Sequence, residues 1–422
     1  MFNFLIFDLD DTLIATSALE DFRGGANVNV MTPQYHTALR TALVTHNVQP
    51  SITEDFLLEL RKSYPEAKFS VVTTSPKFYA STLLAYFYPK FTWDSIVGFE
   101  DVKQTKPDPE GLYLAFEKAG CNKDTKFDSI VLIGDSKKDI IAAYRSGIRV
   151  ILYSACWPER MRPFDYHASN LIPDAHVKMQ HKLREAIDAP LTRLPAFEAA
   201  VEGTSYTSVR AAYISHFINH EDEKDANNKS PRVSVMTLGR LFSEYATLEN
   251  RRSWHIPTQH IHAHKNALVF PHEWTGAILR SIAHATAHIP DVIFGDTTVI
   301  ITCIPHKPGR VARLERLVEQ LQVAHLDFQR GPGTYHFAPA LLAYKPGALS
   351  HHGAHLTAEQ RIENVRDNLY VNEAGIIFGQ IIIVLDDVVT TGASLYFAEK
   401  YIKMEGASDV KCIALTQAIG NI

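Results

Sequence analysis

Short apolar runs alternate with amphipathic stretches along most of the chain. In the first 185 or so residues, each apolar run is followed by polar or turn residues, which predicts buried strands at 3–9, 69–73, 130–134 and 149–153. The stretches between these runs repeat their apolar positions at helical spacing, which predicts helices at 32–46, 53–63, 76–87, 108–120, 137–146 and 176–187. Strands that alternate with helices are typical of a parallel sheet with helices on both faces.

The alternation returns after a polar interruption. Residues 221–231 are charged and contain Asn and Pro without an apolar period, which predicts an exposed loop. Beyond residue 233, the pattern predicts strands near 292–303, 324–329 and 381–386 and helices near 273–288, 309–321, 357–366 and 392–405. We therefore predict an α/β protein with two doubly wound parallel-sheet domains, at 1–188 and 235–422, joined by a linker at 189–234 that contains the charged loop.

Length and composition agree with this organisation. A chain of 422 residues is too long for one core. A net charge of -5 gives no reason to expect membrane or broad nucleic-acid affinity, and no segment is apolar enough to span a bilayer. The four cysteines are far apart without a Cys-x-x-Cys pair, which favours a reducing compartment. The N-terminal apolar run lacks a basic flank and is broken by Asp8, so we expect a cytoplasmic protein without a signal peptide.

Acidic residues follow the first predicted strand. Asp8 and Asp10 share one side of an extended segment because they are two residues apart. Thr73, Lys106 and the run from Gly134 to Asp139 also follow strands or loops in order, and side chains at the carboxyl ends of parallel strands converge. The simpler alternative is that these acids only cap strands and helices.

This set resembles the haloacid dehalogenase superfamily over roughly residues 1–185. The four motifs match as Asp8-x-Asp10-x-Thr12, Thr73, Lys106-Pro107 and Gly134-Asp135-x-x-x-Asp139. The resemblance implies a Rossmann-like domain with a small helical cap at about 14–66, and an Mg²⁺-dependent phosphatase.

The resemblance also implies a role for each residue of these motifs. Asp8 would attack phosphorus to form an aspartyl-phosphate, and Asp10 would act as general acid and base. Asp8, Asp135 and the Asp10 carbonyl would hold the metal. Lys106 and Thr73 would bind the phosphoryl oxygens, and Asp139 would orient Lys106 or the metal shell.

A second acidic signature lies near the C-terminus. The strand at 381–385 runs into Asp386 and Asp387, and Thr390, Thr391, Gly392, Ala393 and Ser394 then open a helix. Backbone N–H groups and hydroxyls at a helix start suit a terminal phosphate, and the two carboxylates suit ribose hydroxyls. The alternative to a ribose-phosphate site is an ordinary strand-turn-helix without a ligand.

This stretch resembles the phosphoribosyl diphosphate (PRPP) motif of type I phosphoribosyltransferases, with a ComF-like segment at Arg361, Asn364 and Val365. That resemblance covers about 235–422 and implies a type I phosphoribosyltransferase fold that takes PRPP as substrate. Lys307, Gly309 and Arg310 lie where that fold carries its diphosphate loop. The cysteine zinc module that ComF-type proteins often carry is missing from this sequence.

Other features carry less weight in the sequence. His260, His262 and His264 would share a face of a strand, but no acid or cysteine at ligand spacing joins them. His352 and Tyr335 are candidate substrate contacts in a loop. The run from Arg251 to Trp254 is predicted to lie on a solvated face.

Taken together, the two sites predict a bifunctional enzyme that transfers phosphoribose and hydrolyses a phosphomonoester, with a nucleoside-like product. Its partners would be small nucleotide or base substrates. The resemblance to phosphoribosyltransferases also implies that the protein forms a homodimer. The first alternative is a toxin or effector of a retron-type anti-phage or stress system that is controlled by partners. The second is a PRPP-sensing domain that regulates the phosphatase.

Overall fold

The structure is a computed structural model, and it describes residues 2–23, 31–121, 125–158, 171–204, 209–293, 295, 297–328, 334–349 and 357–420. The chain forms two compact units. The first contains Met1–Arg193, Phe242–His255 and Gly420–Ile422, and the second contains Leu194–Leu241 and Ile256–Ile419. None of the described helices has the length and apolar character needed to cross a membrane.

The first unit is built on a six-stranded parallel sheet with the order β3-β2-β1-β4-β5-β6. Its strands are β1 Phe4–Phe7, β2 Lys68–Val72, β3 Ser95–Val97, β4 Ile130–Gly134, β5 Arg149–Tyr153 and β6 Ala175–Val177. Its α-helices are α1 Glu20–Arg23, α2 Pro33–Thr45, α3 Glu54–Ser63, α4 Lys77–Phe87, α5 Glu110–Lys118, α6 Lys137–Ser146 and α7 Gln180–Asp188, and α9 Glu249–Trp254 joins them from later in the chain.

The centre of this sheet is buried on both faces. All four residues of β1 and all five of β4 are buried, which explains why these strands are continuous apolar runs rather than alternating ones. The strand order reverses between β1 and β4. In open parallel sheets, ligands bind at the carboxyl ends of the strands at such a switch point. Asp8 and Asp135 immediately follow these two strands.

The segment Phe242–His255 is anchored in the first unit by a buried arginine. Arg251 is fully buried, donates to the Ile148 carbonyl and pairs with Asp174. Its guanidinium also lies 4.2 Å from the ring centre of Trp254. The prediction of a solvated face for this run is therefore wrong. Sequence pattern could not reveal it because Asp174, the partner that compensates the buried charge, is far away in the chain.

The second unit contains a larger sheet with the order β11-β10-β14-β15-β8-β7, in which β9 pairs with β15. All neighbours on the main path are parallel except β7 and β8, which are antiparallel. Its strands are β7 Ala212–Phe217, β8 Arg232–Thr237, β9 Arg240–Phe242, β10 Thr298–Cys303, β11 Thr334–Phe337, β14 Ile381–Val389 and β15 Asp409–Ile419. A separate antiparallel pair is formed by β12 Leu342–Tyr344 and β13 Leu369–Val371.

The remaining helices belong to this unit. They are α8 Ala196–Val201, α10 Ile256–His264, α11 His272–Thr286, α12 Pro290–Ile293, α13 Arg313–Phe328, α14 Ala358–Asn368 and α15 Ala393–Met404. The buried faces of α11, α13 and α15 pack with the apolar sheet residues into one continuous core.

Several predicted boundaries differ from the structure. The expected linker at 189–234 contains α8, β7 and the first half of β8, which are part of the second unit rather than a connector. Residues 324–328 of the strand predicted near 324–329 form the end of α13, where the apolar side chains of Val323 and Leu326 are exposed rather than buried in a sheet. The helix predicted at 176–187 starts later, since Ala175–Val177 pairs with β5 as an edge strand.

Candidate active sites

Asp8 lies at the carboxyl end of β1 with little solvent exposure. Its Oδ1 accepts a hydrogen bond from the backbone N–H of Leu9 at 2.8 Å and lies 2.8 Å from Lys106 Nζ. Burial raises the pKa of Asp8 to about 7, and Asp139 and Asp10 act in the same direction while Lys106 opposes them. Both contacts use Oδ1, so among the described residues Oδ2 is the oxygen left for an incoming ligand.

Lys106 bridges two carboxylates in this site. Its Nζ lies 2.5 Å from Asp139 Oδ1 in addition to its contact with Asp8, and the lysine is only 5 % exposed. Burial disfavours the charged amine, but Asp139 and Asp8 outweigh this effect and raise the pKa of Lys106. The site therefore contains a fixed positive charge beside Asp8.

Asp139 is held at the start of α6 by a capping box. Its Oδ2 accepts from the backbone N–H of Ser136 at 3.0 Å and from the Ser136 hydroxyl at 2.5 Å. Both oxygens of Asp139 thus have protein partners. Of the two predicted roles, orientation of Lys106 is the one these contacts favour.

Asp135 completes an acidic cluster at the ends of β1 and β4. One oxygen atom from each of Asp8, Asp135 and Asp139 lies within 4.8 Å of the other two. Burial raises the pKa of Asp135 to about 8, with Asp139 and Asp8 adding to the effect. Buried carboxylates that repel one another fit a divalent cation, and Mg²⁺ prefers oxygen ligands.

The Asp10 side chain points to a different set of partners. Its carboxylate accepts from Thr16 Oγ1 at 2.7 Å, Ser75 Oγ at 2.5 Å and Tyr79 OH at 3.0 Å. Arg23 NH1 of α1 lies 3.1 Å from Oδ1. The Asp10 side chain is not in the acidic cluster, so a metal contact from this residue would use its backbone carbonyl, as the sequence resemblance implies.

The sequence did not reveal these partners of Asp10. Ser75 and Tyr79 follow the predicted Thr73 within six residues. The sequence therefore indicated the region after β2 but did not single out these two side chains. Arg23 lies in the predicted cap, where no motif marked it. Thr73 itself is buried, and its Oγ1 accepts from the backbone N–H of Ser75, so it also shapes the loop that holds Asp10.

The second unit contains a cavity of about 560 Å³ that unites four of the predicted PRPP residues. Lys307 and Arg310 line it from the loop after β10, and Asp386 and Asp387 line it from β14. Two further cations, Lys265 and Arg313, line it as well, and no sequence motif marks either of them.

The acidic pair lies inside a strand rather than after one. Strand β14 continues to Val389, and Asp386 pairs with Ala414 in the long neighbouring strand β15. The prediction that the strand ends at residue 385 is therefore wrong, since β15 offers pairing partners beyond that point. Asp387 pairs with Arg313. Burial, with the Asp387 charge next in size, raises the pKa of Asp386 well above its usual range.

Lys307 is tied to the Arg361–Asn364 segment through one backbone carbonyl. Its Nζ donates to the Leu349 carbonyl at 2.9 Å, and Asn364 Nδ2 donates to the same carbonyl at 3.0 Å. Asn364 Oδ1 in turn accepts from the Leu349 N–H at 2.8 Å. Burial lowers the pKa of Lys307 to about 8. Gly309 follows with a φ of 76°, a left-handed turn conformation that favours glycine.

The predicted phosphate loop lies in another environment. Thr390, Thr391, Gly392, Ala393 and Ser394 are not among the described residues that line the 560 Å³ cavity. Gly392 has a φ of 75°, and a Cβ at this position would lie 2.5 Å from the Cβ of His216 in β7. The loop therefore packs against β7, while Thr390 and Thr391 are exposed.

The candidate histidines do not form a metal site in the described part of the chain. His260, His262 and His264 lie on the helix α10 rather than on a strand, and the rings of His260 and His264 are 4.5 Å apart. Asp8, Asp135 and Asp139 form the one cluster of metal-ligating side chains among the described residues. His352 lies outside the described residues, and Tyr335 contacts the Thr286 hydroxyl at 3.1 Å.

One family of known proteins matches a segment of the first unit. Residues 18–153 match the family model of haloacid dehalogenase-like hydrolases. The chain is 30% identical over 100 residues to the pyrophosphatase PpaX of Halalkalibacterium halodurans, covering 23% of this chain and 45% of that protein. It is 31% identical over 77 residues to the phosphoglycolate phosphatase of Photorhabdus laumondii, covering 18% of this chain and 31% of that protein.

Similarity to solved structures extends over a larger share of the chain. The crystal structure of a haloacid dehalogenase-like hydrolase from Bacteroides fragilis aligns with a TM-score of 0.32 at 18% identity, over 43% of this chain and 100% of that one. The chain spans less than half the length of the curated relatives named above. Within the first unit, the similarity to haloacid dehalogenase-like hydrolases is shown over residues 18–153.

Proposed function

We propose that the first unit is a Mg²⁺-dependent phosphatase in which Asp8 is the nucleophile. The observation that supports this most strongly is the position of Asp8 between Lys106 and Asp135, at the switch point of the parallel sheet. The relatives named as a pyrophosphatase and a phosphoglycolate phosphatase support the same reaction class, hydrolysis at phosphorus.

In this mechanism, Asp8 Oδ2 attacks phosphorus and displaces the leaving oxygen. Lys106 binds a phosphoryl oxygen while Asp139 fixes its amine, so the charge is in place before the reaction and needs no reorganisation. Asp10 protonates the leaving oxygen and later activates the water that hydrolyses the aspartyl-phosphate. Ser75, Tyr79 and Thr16 hold the Asp10 carboxylate in position for this work.

Asp8, Asp135 and the Asp10 carbonyl would hold the metal, with Asp139 beside them. A bound Mg²⁺ would stabilise negative charge on the phosphoryl group and offset the repulsion among these carboxylates. Replacing Asp8 with Asn should abolish phosphate release from p-nitrophenyl phosphate. Replacing Asp135 with Asn should raise the Mg²⁺ concentration needed for half-maximal rate. Unchanged phosphate release by Asp8→Asn would contradict the proposal.

We propose further that the second unit binds PRPP and transfers its phosphoribosyl group. The cavity is lined by four cationic side chains, by Glu315 and by the neighbouring pair Asp386 and Asp387. This supports the proposal, because a diphosphate needs cations and ribose hydroxyls need acceptors. When PRPP binds, the Asp387 carboxylate would release Arg313 and accept a hydrogen bond from a ribose hydroxyl instead. A nucleotide product would then be a substrate of the first unit, which would give a nucleoside-like molecule.

Calorimetry with PRPP and Mg²⁺ tests this second assignment. We expect heat of binding in the wild type and its loss in Asp387→Asn. Binding without release of pyrophosphate in the presence of any acceptor would favour a sensor that controls the phosphatase. Absence of binding would contradict the assignment.

A further inference from the structure

A second cavity in the second unit adjoins the cationic one. It measures about 310 Å³ and is lined by the loop after β10, by α13 and by the β12–β13 pair. Pro339, Leu342 and Tyr344 supply apolar walls, and Glu319 and Asn372 supply polar groups. This size and mixture are typical of small-molecule sites.

The two cavities share three lining residues, Pro305, His306 and Glu315. Among these, His306 and Glu315 form a pair. Glu315 Oε1 lies 2.7 Å from His306 Nδ1 and also accepts the His306 backbone N–H at 2.7 Å. The other carboxylate oxygen, Oε2, is buried and has no hydrogen-bond partner among the described residues.

This pairing fixes the chemistry of the imidazole. A carboxylate only accepts hydrogen bonds, so Nδ1 must carry the proton, and Nε2 of a neutral ring is then a proton acceptor. A histidine whose Nδ1 is held by a carboxylate is an arrangement suited to general base catalysis. His306 is 43% exposed, so it can be reached by a ligand in either cavity.

From this arrangement, we propose that His306 is the general base of the phosphoribosyl transfer and that the 310 Å³ cavity binds the acceptor, a protic nitrogen heterocycle without an acidic group. This inference rests on the proposed transferase function. The cationic cavity would hold the ribosyl diphosphate, so an acceptor in the smaller cavity and the sugar would meet beside His306.

The acceptor nitrogen forms a bond to ribose C1 while the bond from C1 to the diphosphate oxygen breaks. The proton of the acceptor N–H passes to His306 Nε2. Pyrophosphate leaves with the electron pair of the broken bond and is stabilised by Lys307 and Arg310.

The acidic groups of the smaller cavity determine the class of acceptor. The negative charges of Glu315 and Glu319 repel a carboxylate, whereas Glu319 can accept hydrogen bonds from ring or exocyclic N–H groups. We therefore expect adenine, guanine or hypoxanthine to be used and orotate, nicotinate and anthranilate to be rejected.

The test measures pyrophosphate release from PRPP and Mg²⁺ with each of these six compounds, in the wild type, His306→Asn, Glu315→Gln and His306→Ala. We expect His306→Asn to lower kcat by about 100-fold or more while the Kd for PRPP stays within about twofold, given the usual contribution of a general base. Glu315 is a positioning residue, so Glu315→Gln should lower kcat less and leave KM for PRPP unchanged. Added imidazole should restore part of the His306→Ala rate.

The control is His272→Asn, because His272 also faces a glutamate, Glu273 at 3.5 Å, but is 92% exposed. It should behave as the wild type. Normal turnover by His306→Asn, or use of the carboxylate-bearing compounds in preference to the purines, would overturn the inference and leave the transferase assignment intact. Failure of the wild type to bind PRPP would overturn both.

Discussion

Gly134 leaves the space that the Asp139 carboxylate occupies. A Cβ at position 134 would lie 2.4 Å from Asp139 Cγ, closer than real side chains approach. Asp139 is fully buried and holds Lys106, so the last residue of β4 indirectly sets the position of the charge beside Asp8.

The Gly134→Ala variant should therefore lose phosphatase activity. The added methyl displaces Asp139 and with it Lys106, and forcing a group into a packed site costs about 1–3 kcal/mol of unfolding free energy. Phosphate release should fall by at least about tenfold, since charge stabilisation by one such group is typically worth that much or more. Gly375→Ala is the matched control, because a Cβ there meets no atom of the described residues within 4 Å. Full activity in Gly134→Ala would show that the Asp139–Lys106 contact is dispensable.

The partners of Asp10 should matter most for poor leaving groups. Tyr79→Phe removes one donor to Asp10 while keeping the buried ring. If Asp10 protonates the leaving oxygen, the variant should slow hydrolysis of an alkyl phosphate by several-fold more than hydrolysis of p-nitrophenyl phosphate, whose leaving group needs little protonation.

Two further variants complete that comparison. Arg23→Gln removes the ion pair to Asp10 and should show the same dependence on the leaving group. Tyr86→Phe alters a tyrosine that is 39% exposed and should change neither rate. Equal slowing of both substrates by Tyr79→Phe would argue against a proton-transfer role for Asp10.

The second unit should lose stability as the pH falls from about 6.5 to about 4. Burial lowers the pKa of His216 from 6.5 to about 4, so the unfolded chain takes up a proton that the folded unit does not. The stabilisation is complete above pH 6.5 and at most about 3 kcal/mol is lost by pH 4. His216→Gln should flatten this slope in urea unfolding, and His272→Gln should not. An unchanged slope in His216→Gln would exclude His216 as its source.

Diphosphate binding should weaken as the pH rises through about 8. Burial lowers the pKa of Lys307 to that value, so the amine loses its charge at a pH where an ordinary lysine keeps it. Calorimetry with pyrophosphate between pH 7 and 9 should show a steeper decline for the wild type than for Lys307→Met. Parallel declines would mean that Lys307 does not contact the anion.

The sequence predicted the first unit better than the second. Asp8, Asp135 and Asp139 could be placed because each ends a buried strand or begins the helix after it, and parallel strands bring their ends together. Arg23 and Tyr79 could not be placed from the sequence, because their contacts with Asp10 depend on how the predicted cap and the segment after β2 pack. In the second unit, apolar periodicity did not reveal that β14 continues through Asp386 and Asp387, because its pairing with β15 is a tertiary effect.

The most direct test of the two-site proposal follows phosphate and pyrophosphate separately in one reaction. The protein is incubated with PRPP, Mg²⁺ and a purine base, as the wild type, Asp8→Asn and Asp387→Asn. We expect Asp8→Asn to release pyrophosphate but no phosphate from the product. Asp387→Asn should release no pyrophosphate yet still hydrolyse p-nitrophenyl phosphate. Loss of pyrophosphate release in Asp8→Asn, loss of p-nitrophenyl phosphate hydrolysis in Asp387→Asn, or phosphate release from the product that survives Asp8→Asn would contradict the account.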